Sequence, residues 1–276
     1  MKTNEPQRRR RRCNRVVTGL FVGFGLLGLS GFVAGGSAAD NQGDETTQQW
    51  SEESIDLRGD WSVRHTTTTE TTVPVAGSFS TVTESRLAAS IVGDKTDLDV
   101  TTRVCSVEME TDLPMVEMVV PDAFVEGLPE RTRHAVYRPE DQKFVMPPIW
   151  ETLGIELDDP ATDTLPEDLD DPRIIDQDGN GHPGTTLRIE GMVDGEIHLV
   201  RRGWEAWYGE VVGPDAIEGR IEWTTEQHVI DASRWMLRRQ PEANPHPADD
   251  RHHFRLERID DECASSPDCG PCSDSD

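Results

Sequence analysis

The sequence predicts an all-β fold, an antiparallel meander that forms either a barrel or a two-sheet sandwich. Apolar and polar residues alternate along several runs, most clearly in residues 217–223, where Ile217, Ile221 and Trp223 face one way. A period of two is the pattern of a strand with one buried face. Short polar turns such as residues 93–97 separate the runs, and sequential strands joined by short turns pair antiparallel.

The alternating runs cover most of the chain outside its ends and its middle. One apolar face per strand is what a barrel or a sandwich requires. The apolar positions of the other runs are Trp61 and Val63; Val73, Val75 and Phe79; Leu87, Ala89 and Ile91; Leu98, Val100 and Val104; Leu187 and Ile189; Ile197 and Leu199; Phe254 and Leu256.

The middle of the chain departs from this pattern. Residues 121–134 allow a short helix that begins at Pro121, since proline is favoured in the first turn of a helix. Residues 140–186 are rich in proline and acidic residues and hold too few apolar residues to bury a core. We therefore predict one β-rich domain over residues 56–262, in which residues 140–186 are a long surface loop, here called the acidic excursion.

The N-terminus has the pattern of a signal peptide, predicted over residues 1–39. Arginines 8–12 precede the apolar run Val16–Gly36, and small residues follow it at Ser37–Ala39. The protein is then secreted or periplasmic, with no stable membrane insertion after cleavage. The alternative is an uncleaved anchor, because the run is long enough to span a bilayer, and the domain would still lie outside.

Composition limits the partners of the exported part. The formal net charge of −26 excludes nucleic acid as an expected partner, because phosphate binding requires a basic surface. A surface of this sign attracts cations. Residues 40–55 are polar and are predicted to be a disordered linker.

Four cysteines follow the signal peptide, namely Cys105, Cys263, Cys269 and Cys272. An even number in an oxidising compartment indicates up to two disulfides, with three possible pairings. We expect Cys105, on a strand, to attach the acidic tail 263–276 to the domain. The alternative, a metal site in this tail, lacks a second pair of ligands at zinc spacing.

The loop 174–187 carries the pattern of a cation site. Asp176, Asp178 and Asn180 place side-chain oxygens at alternate positions, and Gly181 follows where a sharp turn is needed. This pattern resembles the first half of an EF-hand loop and the aspartate-rich calcium loops of thrombospondin-type repeats.

The resemblance implies a Ca²⁺ ion bound by these side chains and by the backbone carbonyl of His182. The residue at the position of the usual bidentate acid is Leu187, so another residue, such as Glu190, would have to complete the ligands. The alternative is a turn of Asx and Gly residues that needs no metal.

A second resemblance concerns residues 57–61, Leu-Arg-Gly-Asp-Trp. Gly59 and Trp61 match the G-x-W of the first strand of lipocalin-like barrels. The resemblance implies that Trp61 plugs the closed end of a barrel and that Arg255 or Arg258, near the last strand, packs over it. It implies no particular ligand.

Catalytic motifs are missing from the sequence: it contains no G-x-S-x-G, no H-E-x-x-H and no glycine-rich phosphate loop. The leading hypothesis is an exported, non-catalytic β-domain with a structural calcium loop. This domain would be an interaction or ligand-binding module for an unknown ligand or protein. The alternative is an extracellular hydrolase of a polymer, acting through carboxylates or the His/Asp cluster 246–253. That cluster comprises His246, Asp249, Asp250, His252 and His253.

Overall fold

The computed structural model of the protein describes residues 55–73 and 77–259. The predicted signal peptide, nearly all of the predicted linker and the cysteine-bearing tail lie outside the described residues. The strands are β1 Gly59–Val73, β2 Gly77–Gly93, β3 Asp97–Thr111, β4 Val116–Val119, β5 Arg131–Arg138, β6 Lys143–Leu153, β7 Thr185–Gly191, β8 Gly195–Gly213, β9 Ala216–Ala232, β10 Glu242–Pro245 and β11 His253–Arg258. The helix α1 is Asp122–Glu126, and single 3-10 turns occur at Trp235–Leu237 and Asp249–Arg251.

Eight strands pair in a closed antiparallel ring, which confirms the all-β prediction. The order is β1, β2, β3, β5, β6, β8, β9 and β11, and β11 pairs with β1 to close the ring. The order follows the chain, so the ring is an up-and-down meander. Closure separates an interior from solvent and leaves little free edge along the ring; the exception is between β5 and β6, which pair only over residues 136–138 and 143–145.

The three remaining strands lie at one end of this barrel. β7 pairs with the first part of β8 and with β4, and β10 pairs with the second half of β1. The long connections are at this same end, here called the open end, whereas the turns at residues 93–97, 138–143 and 213–216 close the other end. Insertions have therefore accumulated at one end of a simple barrel.

Large apolar side chains fill the closed half of the barrel. Period-two alternation turns them inward from the strands of the ring; the sequence predicted this for β1, β2, β3, β9 and β11, but not for β5 and β6. The largest fully buried members of this core are Trp61, Trp207, Tyr137, Phe144, Phe254, Ile91, Leu98, Ile217 and Leu256.

Trp61 and Arg258 seal the closed end. They are direct neighbours across the β1–β11 pairing, and the Arg258 guanidinium lies 4.4 Å from the centroid of the Trp61 ring. Arg258 also donates to the backbone carbonyls of Asp56 and Arg58 at 2.7 and 2.8 Å. Gly59 makes this approach possible, because a Cβ there would lie 2.8 Å from Nη1 of Arg258 and its φ is +128°.

The acidic excursion is shorter than predicted. Residues 143–153 form β6, and the irregular part comprises residues 154–184. The prolines at 147 and 148 obscured this strand; they lie where the register of β6 against β8 shifts between Met146 and Ile149. Proline is tolerated in a strand at such a bulge, because no ladder hydrogen bond is lost there.

The irregular part packs on the outside of the barrel near its open end. Its residues Ile155 and Leu165 bury themselves against Val200 of β8, with Ile174 and Ile230 of β9 partly buried beside them. The short helix α1 follows Pro121 as predicted. Among the residues that the structure describes, no helix has the length and apolar composition needed to cross a membrane.

Replacing Arg258 by methionine should destabilise the protein by about 1–3 kcal/mol. The change removes a cation–π contact, hydrogen bonds to the carbonyls of Asp56, Arg58 and Pro214, and an ion pair with the exposed Asp215. Arg255→Met is the matched control: this arginine is exposed on the same strand and pairs with Glu218 and Glu257, so its loss should change stability by less than about 0.5 kcal/mol. Urea unfolding measures both, and equal losses would contradict a sealing role for Arg258.

Candidate functional site

The open half of the barrel is hollow. A cavity of about 540 Å³ extends from Trp207 and His65, at the centre of the barrel, to Val73 of β1 and the 3-10 turn Trp235–Leu237 at the open end. Apolar residues, which come from the strands and from the connections at the open end, make up most of its wall. The size lies within the usual range for small-molecule sites, about 300–1,000 Å³.

Threonines distinguish the hollow half from the filled half. They are compact and β-branched, so they suit a strand but extend less far inward than the Trp, Phe and Leu of the core. The hydroxyl of Thr225 is buried without a hydrogen-bond partner in the described part of the chain. The eight threonines of the wall are Thr67, Thr69, Thr71, Thr81, Thr83, Thr102, Thr111 and Thr225.

A cluster around Glu205 forms the floor of the cavity. One carboxylate oxygen accepts hydrogen bonds from Arg133 at 3.0 Å and from the Trp207 indole at 2.8 Å, and the other lies 2.9 Å from His65 Nε2. Arg133 also donates to the Glu205 carbonyl. The indole of Trp207 stacks on Phe254 of the core, so the cluster separates the filled half from the hollow half.

The environment keeps Glu205 ionised. Burial raises the pKa of this carboxyl, but the charge and hydrogen bond of His65, the charge of Arg133 and the Trp207 hydrogen bond outweigh burial and lower it to about 2. A group that stays deprotonated at neutral pH and is fully engaged in hydrogen bonds is not suited to be a general acid.

Higher on the wall, Arg131 of β5 pairs with Glu151 of β6. Arg201 of β8 is beside them, since its neighbours across the sheet are Leu153 and Gln227. No hydrogen bond or ion pair joins the Arg201 guanidinium to any residue that the structure describes. The side chain of Arg201 is exposed and lines the cavity. Desolvation by the surrounding wall lowers the pKa of its guanidinium, and the nearby charges of Glu151 and Glu205 oppose this shift.

The charge of the cavity wall is opposite to that of the chain. The wall carries four arginines and two glutamates, with no aspartate or lysine among its described residues, whereas the formal net charge of the chain is −26. The fourth arginine, Arg239, is exposed near the open end. Local sequence patterns do not indicate this contrast, because these arginines come from three separate segments: β5, β8 and the segment after β9.

A gap between β5 and β6 leads toward the same wall. Their pairing extends only over residues 136–138 and 143–145, and a second cavity of about 530 Å³ occupies the space beyond it. Pro129, Arg131, Arg133 and Glu151 line both cavities.

The rim at the open end carries exposed apolar side chains. Trp235 is 75% exposed, and Met236 beside it is also exposed. Met115 and Met192, at neighbouring turns joined by a backbone hydrogen bond, are exposed as well.

The predicted calcium loop is a turn closed by its own side chains. The two carboxylate oxygens of Asp176 accept hydrogen bonds from the backbone N–H groups of Asn180 and Gly181 at 3.1 and 2.9 Å. Asn180 accepts from the N–H of His182 and donates to the Thr186 hydroxyl. This is the arrangement of an Asx turn, and it engages the same oxygens that a cation would need.

Asp178 differs from its neighbours in this loop. It is 9% exposed; Oδ2 accepts from the N–H of Thr186, and Oδ1 is buried without a hydrogen-bond partner among the described residues. The ring of His182 stacks on the ring of the buried His198, with 4.4 Å between the two ring centroids. The His182 side chain is therefore engaged with His198 and not with the oxygens of the loop.

Glu190 is exposed on β7, where Arg188 lies 3.9 Å away. Within residues 55–73 and 77–259, no three side chains of His, Cys, Asp or Glu converge as a group that could hold a metal. A calcium site would also use the Asn180 oxygen and backbone carbonyls, so calcium binding stays a prediction.

The histidines of the cluster 246–253 have separate structural partners. His252 is buried; its Nδ1 accepts from the Trp223 indole at 3.1 Å and its Nε2 lies 2.8 Å from the His246 carbonyl. His246 Nδ1 accepts from the N–H of Ala248, and His253 is exposed on β11. These contacts attach the segment before β11 to the wall of the barrel.

Cys105 lies at a β-bulge of β3, between Val104 and Ser106, which pair with successive residues of β2. It is partly buried and is not a free thiol. Cys263, Cys269 and Cys272 lie outside the described residues, so the disulfide to the tail stays a prediction.

The chain matches no family model, and no curated protein matches it. The lipocalin and calcium-loop resemblances therefore remain predictions that rest on the residues themselves. The lipocalin resemblance implies that either Arg255 or Arg258 packs over Trp61, and Arg258 makes such a contact.

Glu205→Gln should change the pH dependence of stability. Because the pKa of Glu205 is about 2 in the folded protein and 4.5 is its usual value, its carboxylate stabilises the fold fully above pH 4.5. This stabilisation, about 3 kcal/mol by linkage, is lost as pH falls from 4.5 through 2.

Urea unfolding of the wild type and the variant between pH 7 and pH 2 measures this effect. The stability gap should be large at neutral pH and should narrow below pH 4.5. Glu210→Gln, which removes an exposed partner of Lys143 on the same strand, is the control and should leave a small gap at every pH. A gap that is constant with pH would refute the assigned role of Glu205.

Proposed function

We propose that this protein is an exported, non-catalytic binding protein that holds an elongated, largely apolar molecule inside its barrel. The observation that carries the proposal is the division of one barrel into a filled half and a hollow half. The hollow half has a mainly apolar wall and a sealed floor. An empty space of this kind in a close-packed protein is not what stability alone favours.

The dimensions favour a long ligand. The cavity follows β1 from His65 to Val73, and eight residues of a strand span about 26 Å. Each methylene group of a ligand that leaves water for such a wall contributes about 0.8 kcal/mol. A ligand with a chain therefore gains affinity from the full depth of the cavity, whereas a compact polar molecule does not.

The exposed apolar rim supports the same function, because an apolar ligand must pass this end without entering bulk water. The N-terminal pattern supports export. A hydrolase remains the second hypothesis, but the polar groups of the floor are engaged with one another, and Glu205 is held ionised.

We also propose that Ca²⁺ binds the loop Asp176–His182 and has a structural role. The alternating side-chain oxygens support this, and so does the buried Oδ1 of Asp178, which has no hydrogen-bond partner in the part of the chain that the structure describes. A cation would satisfy that atom. The ion would fix the loop against β7, which contributes to the wall of the cavity.

Filling the cavity should prevent ligand binding. Thr225→Trp places a large side chain inside without removing a hydrogen bond, since the Thr225 hydroxyl has no partner. The fluorescent neutral probe N-phenylnaphthylamine should bind the wild type and should bind the variant at least about tenfold more weakly.

Thr224→Trp is the matched control. Thr224 is the adjacent residue of β9, does not line the cavity and pairs with Trp204, so the probe should bind this variant as it binds the wild type. Fluorescence titration measures all three proteins. Equal binding by the two variants would show that the probe binds elsewhere, and absence of binding to the wild type by this probe and by hexadecanol would refute the proposed function.

Calcium should raise the melting temperature of the wild type by about 5 °C at 10 mM, as expected for a site of millimolar or submillimolar affinity. Asp176→Ala and Asp178→Ala should each abolish this shift. Asp158→Ala, at an exposed position of the acidic excursion, should retain it. Calorimetry with and without calcium measures these melting temperatures. If calcium does not raise the melting temperature of the wild type, the loop is a turn without a metal.

A further inference from the structure

We infer that the ligand of the cavity is an anionic amphiphile whose head group binds Arg201, on the cavity wall between the Glu205 floor and the open end, while its chain extends toward the open end. The inference rests on the proposed function and specifies the class of ligand. It depends on which charges of the cavity wall are already neutralised and which are not.

Near the floor of the cavity, the side chains of Arg133, Glu205 and His65 interact with one another. Arg133 donates to Glu205 and to two backbone carbonyls, and its side chain is 5% exposed. His65 contacts the second oxygen of Glu205. These donors and acceptors are directed at one another and offer little to a ligand.

A second pair is also formed before any ligand enters. Arg131 of β5 contacts Glu151 of β6, and the two side chains are partly exposed to the cavity. With Glu205 and Glu151 each engaged by another arginine, the wall has no further acidic residue within the described part of the chain to neutralise Arg201.

Among the residues that the structure describes, Arg201 therefore remains as a charged fork on the cavity wall without a hydrogen-bond or ion-pair partner. It lies four residues above Glu205 on β8, about 13 Å along the strand. Arginine keeps its proton even when burial lowers its pKa, and its planar guanidinium binds a carboxylate or phosphate through two parallel hydrogen bonds. The guanidinium is exposed and lines the cavity, so an anionic group of a ligand can replace water there and accept its charge-assisted hydrogen bonds.

The positive charge of the cavity wall is opposite in sign to the net charge of the chain. A chain with a formal net charge of −26 does not attract anions by its overall field. The wall nevertheless carries four arginines against two glutamates. The excess of positive charge is inside the barrel, where water is restricted and each hydrogen bond to an anion is stronger.

The apolar part of the wall determines the rest of the ligand. Above Arg201, β8 presents Leu199 and Ile197 to the cavity, and Leu187 and Ile189 of the neighbouring strand β7 continue the wall. A head group at Arg201 thus leaves its chain against apolar side chains up to the rim. A small anion would satisfy Arg201 but would leave this wall uncovered.

Titration calorimetry with hexadecanoate and hexadecanol tests the inference, since the two differ in the charge of the head group. The wild type should bind hexadecanoate about 10- to 100-fold more tightly than hexadecanol, the range expected for charge-assisted hydrogen bonds. Arg201→Gln should lose this preference and bind hexadecanol with unchanged affinity. Arg201→Lys, which keeps the charge but not the fork, should retain part of the preference.

Arg64→Gln is the matched control, because Arg64 is on the outer face of β1 and pairs with Glu84; it should behave as the wild type does. Equal affinity of the wild type for the acid and the alcohol would overturn the inference and leave the proposed function intact. So would an unchanged preference in Arg201→Gln, equal losses for both ligands in that variant, or binding of acetate as tight as that of hexadecanoate. Binding of neither long-chain ligand would overturn both proposals.

Discussion

The pairing of β1 with β11 closes the ring of strands, and the other features of the molecule depend on this closure. Trp61 and Arg258 lie opposite each other in that pairing and cover the end of the barrel. Once a ring is closed, every inward-facing side chain shares one interior volume. The size of those side chains then decides whether the interior is a core or a cavity.

This barrel contains both a core and a cavity, and a single layer of residues separates them. Below Trp207 the inward positions carry large aromatic and aliphatic residues, whereas above it threonines and smaller apolar residues leave space. The cluster of Glu205, Arg133 and His65 occupies the boundary. A polar layer is tolerated there because most of its groups satisfy one another, although Nε of Arg133 is buried without a hydrogen-bond partner among the described residues. The barrel is thus stabilised from its closed end while its open end is free to hold a ligand.

Much of the fold could be predicted because burial on one face leaves a period of two in the sequence. Trp61, Val63, Phe254 and Leu256 were assigned to the interior in this way and are buried. β6 was missed because its prolines are typical of loops, although they lie at a bulge. Less of the candidate site could be predicted. A local pattern of residues predicts the calcium loop, whereas no local pattern of residues indicates the cavity.

The sequence by itself determined the fold class, the inward face of most strands, the short helix after Pro121 and the turn at Asp176–Gly181, because each depends on neighbouring residues. Only the tertiary structure decided that the ring closes around a half-empty interior. The threonine run 66–69 looks the same on both faces of β1, and the bulge at Cys105 changes which residues of β3 face inward. The charged groups of the wall come from β1, β5, β6, β8 and the segment after β9. Their positions relative to one another depend on strand register and closure, which no short stretch of sequence contains.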